Sequence, residues 1–363
     1  MSQGLDDVIA AKTRLSSVDG ARGILVVKGF SLDQLAGRKH YEDVAHLLFE
    51  GLLDDLADAK AFATRLGAAR EEVYPLAQYI DDVLLTLPPM DGVRALIARI
   101  EDGEDMATAL RLLAAPAVLL PAFLRRRRGL APIAPDAQAG HAADMLHMLT
   151  GDIATPDVAG ALDTYLVTVA DHGLNASTFA ARVVASTWSG LTSSVLAGLA
   201  ALKGPLHGGA PGPIIAMLDG IGKPENAENW IEAALDRGDR LMGFGHRIYK
   251  VRDPRADALK AAVKRMSGDS KAMPGRLKLA EAVERAALKV LHQRKPDRPL
   301  DVNVEFYTAL LLEALGFPPD AFTAVFATGR TAGWLAHARE QRLTGRLIRP
   351  QSTYVGPEPA EMV

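Results

Sequence analysis

Tyr41-Glu42-Asp43-Val44-Ala45-His46-Leu47-Leu48-Phe49 sets apolar side chains at positions 41, 44, 45 and 48. Spacing by three and four residues puts them on one face of a helix. The same texture, dominated by alanine and leucine, extends outward from this stretch. It covers 55–70, 75–86, 89–101 and 104–115, with Gly and Pro as punctuation, and returns at 141–149, 156–171, 301–316 and 321–342. β-Branched runs are few. Gly23-Ile24-Leu25-Val26-Val27, between Asp19-Gly20 and Gly29, reads as a short extended piece within residues 5–30. The fold class expected is all-α, with many helices of moderate length and short extended segments at the N-terminus. Residues 175–200 are small and apolar, which suits closely packed, buried helices. After His207 the chain turns more polar through 219–300, marking a candidate smaller domain. The last piece, Arg346 to Gly356, has no helical period and reads as an extended tail.

The bulk numbers exclude several classes. A chain of 363 residues can hold about two domains and bury a large core. Lysine and arginine number 41 against 44 acidic residues, so the net charge is -3, which argues against a nucleic-acid binder as a whole. No cysteine is present, so there is no disulfide framework, thiolate metal site or cysteine nucleophile. Residues 1–13 show no apolar signal-peptide core, and no stretch reaches about 18 uncharged apolar residues. The expectation is a cytoplasmic enzyme without a membrane span.

The densest chemistry is Gly243-Phe244-Gly245-His246-Arg247-Ile248-Tyr249-Lys250-Val251-Arg252-Asp253-Pro254-Arg255. Glycine lets the main chain approach a ligand, and arginine offers a planar fork to carboxylate or phosphate. The stretch reads as a site for a small, highly anionic molecule or, alternatively, as a polar loop with a solvated basic face. A second histidine sits in a similar cradle, Gly204-Pro205-Leu206-His207-Gly208-Gly209, and a third in Asp171-His172-Gly173. The other six histidines lie in helical patterns and read as surface or satisfied core residues. No HExxH, GxSxG or P-loop pattern occurs. Histidines without a metal pattern or a serine nucleophile suggest proton transfer and carbonyl polarisation. Glu305, opening an apolar helix, is either a base or a carboxylate favourable to the helix dipole. Arg330, in a run of small apolar residues, must pair with an anion or reach solvent. Arg125-Arg126-Arg127-Arg128-Gly129 reads as a helix C-terminus, with phosphate binding as the alternative.

Six segments together resemble the citrate synthase family, of the short bacterial type, over nearly the whole chain. They are ADHGLNAST at 170–178, GPLHGGA at 204–210, GFGHRIYKVRDPR at 243–255, NVEFYTALLLEALGFP at 303–318, GRTAGWLAH at 329–337 and RLIRPQSTYVG at 346–356. The resemblance implies a two-domain helical fold, with residues 1–208 and 317–363 forming a large dimer-making domain. Residues 209–316 would form a small domain that closes over substrate. It implies condensation of acetyl-CoA with oxaloacetate, or of propanoyl-CoA to 2-methylcitrate, by a homodimer with shared sites. No metal or cofactor is implied beyond the coenzyme A thioester. By position, His207 would hold the thioester oxygen, His246 the ketone oxygen, and Glu305 would be the base. His172, Arg255 and Arg330 match oxaloacetate ligands, and Arg349 one supplied by the partner chain. Leu241, Met242, Gly243, Phe244 and Gly245 match an adenine-binding loop, and Lys250 a residue facing CoA phosphate. Glu305 stands where the family usually has aspartate, so a slowed enzyme or a non-catalytic CoA or dicarboxylate binder is a further reading. No physical account is available for Pro211, which follows Ala210 where many members have asparagine.

Overall fold

The computed structural model describes residues 4–5, 8–208, 212–245, 248–249, 251–269, 273–296 and 300–357. The chain opens with a small antiparallel sheet of β1 (Ser16–Asp19), β2 (Ile24–Val27) and β3 (Phe30–Ser31), with Ser16 opposite Val27 and Val26 opposite Ser31. Ten helices follow before His207: α1 (Leu32–Leu35), α2 (Tyr41–Phe49), α3 (Ala59–Val73), α4 (Asp82–Leu85), α5 (Pro89–Ile97), α6 (Met106–Arg127), α7 (His141–Thr150), α8 (Pro156–Val169), α9 (Ala176–Ala185) and α10 (Leu191–Leu202). Beyond it come α11 (Gly212–Ile221), α12 (Ala227–Asp236), α13 (Pro254–Met266), α14 (Met273–Arg294), α15 (Val304–Ala314) and α16 (Phe322–Thr344). The all-α expectation holds.

Two long helices form the centre. From Phe322 to Gln341, α16 buries residues on every side and packs against α6, α8, α9 and α10. Helix α6 is buried nearly throughout and runs unbroken through Pro116 and Pro121. Proline punctuation was expected to divide this region. Each proline does remove one helical hydrogen bond, but packing on all faces holds the helix together. By length and composition α6 is apolar enough to cross a membrane, although 89% of its apolar window is buried inside the protein. It is thus the core helix of this fold. The cations Arg125 to Arg127 close its last turn and Gly129 follows at φ 74°, in agreement with the helix-end reading.

The helix expected over 75–86 is absent. Residues 74–79 form a 3₁₀ segment instead, and Asp81 starts the short α4 by accepting from Leu84 N at 2.7 Å. An aspartate that caps a new turn ends the one before it. Ser16 on β1 donates to Asp171 Oδ2 at 2.5 Å and accepts from Gly173 N at 2.9 Å, so the sheet holds the loop that carries His172. Helix α13 packs on both α8 and α15, which brings the 253–255 turn beside the start of α15.

Candidate active site

The site is built where α16 crosses the end of α8. Gly329 and Gly333 let the helices approach so closely that an added Cβ would lie 2.5 and 2.4 Å from its neighbours on and just after α8. Gly333 N donates to Ala170 O at 3.1 Å, and Arg330 Nε donates to Val169 O at 2.7 Å. These carbonyls belong to the end of α8, where helical partners run out. One edge of the Arg330 guanidinium is thereby anchored, and the group lies 4.7 Å over the Phe326 ring. The residue is only 2% exposed, and among the described residues no carboxylate stands within ion-pair distance of it. Burial holds its pKa down to about 10, against the distant pull of Asp171. A buried cation without a partner is costly unless something else supplies the anion.

Glu305 faces this group from the start of α15. Asn303 caps that helix by accepting from Glu305 N at 3.0 Å, a contact worth about 1 kcal/mol. The Glu305 side chain is half-buried, and its carboxylate has no hydrogen bond among the described residues. Burial raises its pKa to about 7, while Arg255 and Arg330 pull it down and Asp253 pushes it up. A carboxyl so placed can both take and hold a proton near neutral pH.

The loop 241–245 is tied to the same helix start. Gly245 N donates to Asp301 O at 2.7 Å, Asn303 N to Gly243 O at 2.9 Å, and Asn303 Nδ2 to Gly245 O at 2.8 Å. Phe244 pairs with Val302 in an isolated bridge. Gly243 and Gly245 have φ of 87° and 80°, a left-handed backbone that a side chain would strain. A Cβ on Gly243 would also fall 2.9 Å from the Phe306 ring. Leu241 and Phe244 are buried and Met242 is partly so. Whatever occupies this loop therefore bears directly on the backbone that sets Glu305.

Arg255 lies opposite. Its Nε donates to Asp253 Oδ1 at 3.0 Å and its Nη2 to Asp253 Oδ2 at 2.8 Å, with both residues buried. Asp253 accepts in addition from Arg255 N at 3.0 Å and Val304 N at 3.1 Å. One carboxylate thus caps α13, grips the Arg255 fork and ties both to α15. Tyr249 completes this side: its hydroxyl is 3.0 Å from His172 Nε2, and its ring lies 5.6 Å from the Arg255 guanidinium.

His207 closes the group. Its Nε2 is 2.8 Å from Ser177 Oγ, which also donates to Asn175 Oδ1 at 2.8 Å and accepts from Trp334 Nε1 at 3.1 Å. Burial, helped by Arg330, pushes the His207 pKa down to about 4, so the ring is neutral at pH 7. A neutral imidazole carries one proton. While Ser177 donates to Asn175 its oxygen accepts from Nε2–H, and when its one proton turns from Asn175 to Nε2 the ring proton sits on Nδ1.

His172, His207, Arg255, Glu305 and Arg330 are therefore drawn into one cluster from five separate parts of the chain. His246 and Lys250 lie outside the described residues, as does Pro211. Arg349 is exposed on the tail, and its side chain has no hydrogen bond or ion pair among the described residues. The nearest anchor of that tail is Ile348 N, which donates to Ser186 Oγ at 3.0 Å. The cluster also contains groups that sequence reading passed over. Asp253 was visible as the Asp of Asp-Pro, a natural helix cap, and Ser177 lay within the ADHGLNAST segment. Tyr165 on α8 left no such signal. It is fully buried, its hydroxyl has no hydrogen-bond partner among the described residues, and it lies in the fields of Glu305, Arg330 and Arg255. His337 is a satisfied core residue: its Nδ1 accepts from Arg182 Nη1 at 2.8 Å and its Nε2 faces Asp171 Oδ2 at 3.3 Å. His141 departs from expectation, since it is fully buried with neither ring nitrogen bonded among the described residues. Its pKa is accordingly held well down by burial, so the ring stays neutral.

A family model described as the citrate synthase C-terminal domain matches residues 4–351. A citrate synthase of Haloferax volcanii is 36% identical over 98% of this chain and 96% of its own length. A 2-methylcitrate synthase of Mycobacterium tuberculosis is 35% identical over 99% of this chain and 91% of its own. Among solved structures, the citrate synthase of Thermoplasma acidophilum in ternary complex with carboxymethyl coenzyme A and oxaloacetate aligns with a TM-score of 0.83 and 30% identity, covering 100% of this chain and 98% of that one. With this match along its whole length and this gathering of histidine, arginine and glutamate at the α8–α16 crossing, the chain belongs to the citrate synthase family.

Proposed function

We propose that the protein condenses acetyl-CoA with oxaloacetate and water, giving citrate and coenzyme A. The observation that carries this reading is the pairing of opposites in one cluster: Arg330, a buried cation without a carboxylate, and Glu305, a carboxyl held near neutrality without a hydrogen bond. The first suits a carboxylate ligand and the second a proton transfer. Oxaloacetate binds through Arg330, Arg255 and His172, with Arg349 contributed by a second copy of the chain. Glu305 removes a methyl proton of the thioester. His207, neutral, donates to the developing enolate oxygen through Nδ1 once the Ser177 hydroxyl has turned from Asn175 to its Nε2. The enol carbon attacks the ketone carbon, and His246 delivers a proton to the resulting alkoxide. Water then cleaves citryl-CoA to citrate and the free thiol. Polarisation by histidine and arginine suffices, so the reaction asks for no metal and no cofactor beyond the coenzyme A thioester.

The same reading makes residues 241–245 and Lys250 the coenzyme A contacts. Residues 209–316 become a small domain that closes on residues 1–208 and 317–363, with a cytoplasmic homodimer as the working form and the tricarboxylic acid cycle as its setting. A second substrate reading, propanoyl-CoA, has support in the relative named as a 2-methylcitrate synthase. One methylene in an apolar pocket is worth about 1–3 kcal/mol, a selectivity of roughly 10- to 200-fold. Thiol release in the presence of oxaloacetate, measured with acetyl-CoA and propanoyl-CoA in parallel, tests both. A higher kcat/KM for acetyl-CoA supports the first reading and the reverse supports the second. Release with neither would remove the enzyme altogether.

A further inference from the structure

Two groups in the cluster are incomplete in complementary ways. Tyr165 offers a hydroxyl proton and, among the described residues, has nothing to accept it: the side chain is 0% exposed and its oxygen has no partner there. Glu305 offers a carboxylate that accepts no hydrogen bond among the described residues. Tyr165 sits on α8, which packs against both α15, the helix of Glu305, and α16, the helix of Arg330, and both groups feel the charges of Arg330 and Arg255. Neither arginine can accept the Tyr165 proton, because guanidinium groups only donate. A buried hydroxyl with no acceptor is a standing cost, which the fold retains. A glutamate, for its part, has three side-chain torsions, and a base that is not oriented loses rate steeply with misplacement. The cap of α15 fixes the backbone of Glu305 but leaves its carboxylate unheld.

We infer that Tyr165 is a positioning residue for Glu305, its hydroxyl donating to one carboxylate oxygen in the substrate-bound site. The second oxygen is then aimed at the proton to be taken. This rests on Glu305 being the base. The contact forms only when Glu305 turns from its resting orientation, which explains why both groups stand unpartnered in the resting chain. The competing acceptor for the Tyr165 proton is a carboxylate of the bound substrate, and the two arrangements give different kinetics.

The test is Tyr165→Phe in the full chain, with wild-type thiol release measured first. A wild type without activity sinks the function proposed above and is distinct from a failure of this inference. Given an active wild type, the variant should lose roughly 10-fold or more in kcat, with KM for oxaloacetate within about twofold. The acid limb of its pH profile should move to higher pH, since a donor to the ionised carboxylate has been removed. Its melting temperature should stay level or rise, because the deleted hydroxyl has no partner in the resting fold. In a Glu305→Asp background the same substitution should do little more, as the shorter side chain does not reach the hydroxyl. An unchanged kcat overturns the inference. So does a rise confined to KM for oxaloacetate, which assigns the hydroxyl to the substrate, and so does a sharply lowered melting temperature, which assigns it to the fold.

Discussion

Arg330 and Arg255 occupy the same cluster and are both buried, yet they are built oppositely. Arg255 is gripped on two nitrogens by Asp253, a carboxylate of its own chain. Arg330 is gripped on one nitrogen by a backbone carbonyl and has no carboxylate. The paired arginine costs the fold little, because its charge is compensated before any ligand arrives. The unpaired one is a deficit that an anionic ligand removes. Burial accordingly holds the Arg330 pKa below the usual arginine value, whereas Asp253 outweighs burial and raises that of Arg255. Under the proposed function, the difference separates a residue kept for binding from one kept also for architecture, although both match substrate ligands by position.

The first way to break this picture is through the group both arginines face. Glu305→Gln preserves shape and removes basicity, so kcat should fall by at least ~100-fold with the KM for oxaloacetate little changed. Turnover within a fewfold of wild type would leave the cluster without a base. Next comes the unpaired arginine. Arg330→Gln should raise KM for oxaloacetate by about 30-fold or more, the lower end of what truncating a buried charge contact costs. Its melting temperature should barely move. The variant loses one hydrogen bond, worth about 1 kcal/mol, and relieves an uncompensated buried charge. A large loss of stability would mean that Arg330 serves the fold first.

Much of this site was legible in the sequence, and the limits were physical. The helical class follows from apolar spacing such as that of Tyr41 to Phe49, where side-chain direction repeats with the backbone. Glu305 and Arg330 stood out because a charge within an apolar run demands an explanation. Asp253 and Ser177 sat in plain view inside the motifs, but their partners depend on which turns the fold brings together. Tyr165 could not be read, since a tyrosine in the apolar helix 156–169 looks like any core aromatic. Only the missing partner of its hydroxyl, a property of the folded chain, marks it out. The continuity of α6 through two prolines was hidden for a similar reason: local propensity breaks the helix, and tertiary packing restores it.

The paired arginine gives the third test. Asp253→Asn keeps an oxygen for only one of the two backbone amides, Arg255 N and Val304 N, and removes the charge that compensates Arg255. Stability should fall by on the order of 3 kcal/mol, seen as a lowered melting temperature or denaturant midpoint. Activity should drop only several-fold, since Arg255 remains and gains a hold on substrate carboxylate. If Asp253→Asn instead left stability intact and raised KM as strongly as Arg330→Gln, the contrast between the two arginines would collapse.

The smallest effect is the sharpest discriminator, because the two substitutions should push one observable in opposite directions. Glu305 must be ionised to accept a proton, and burial sets its pKa at about 7 in the free chain. The pH profile of kcat/KM for oxaloacetate reports groups of the free enzyme. It should therefore fall roughly tenfold per unit as the pH drops below about 7. Arg330 stabilises the ionised carboxylate, so Arg330→Gln should move this limb to higher pH. Asp253 opposes the ionised carboxylate, so Asp253→Asn should move it to lower pH. Neighbouring charges at such range shift a carboxyl by on the order of 0.5–1 unit, enough to resolve in a full profile. His207 does not confuse the reading, since its pKa of about 4 lies well below the limb. Limbs that moved together, or did not move, would show that the group titrating near neutrality is not the Glu305 carboxyl.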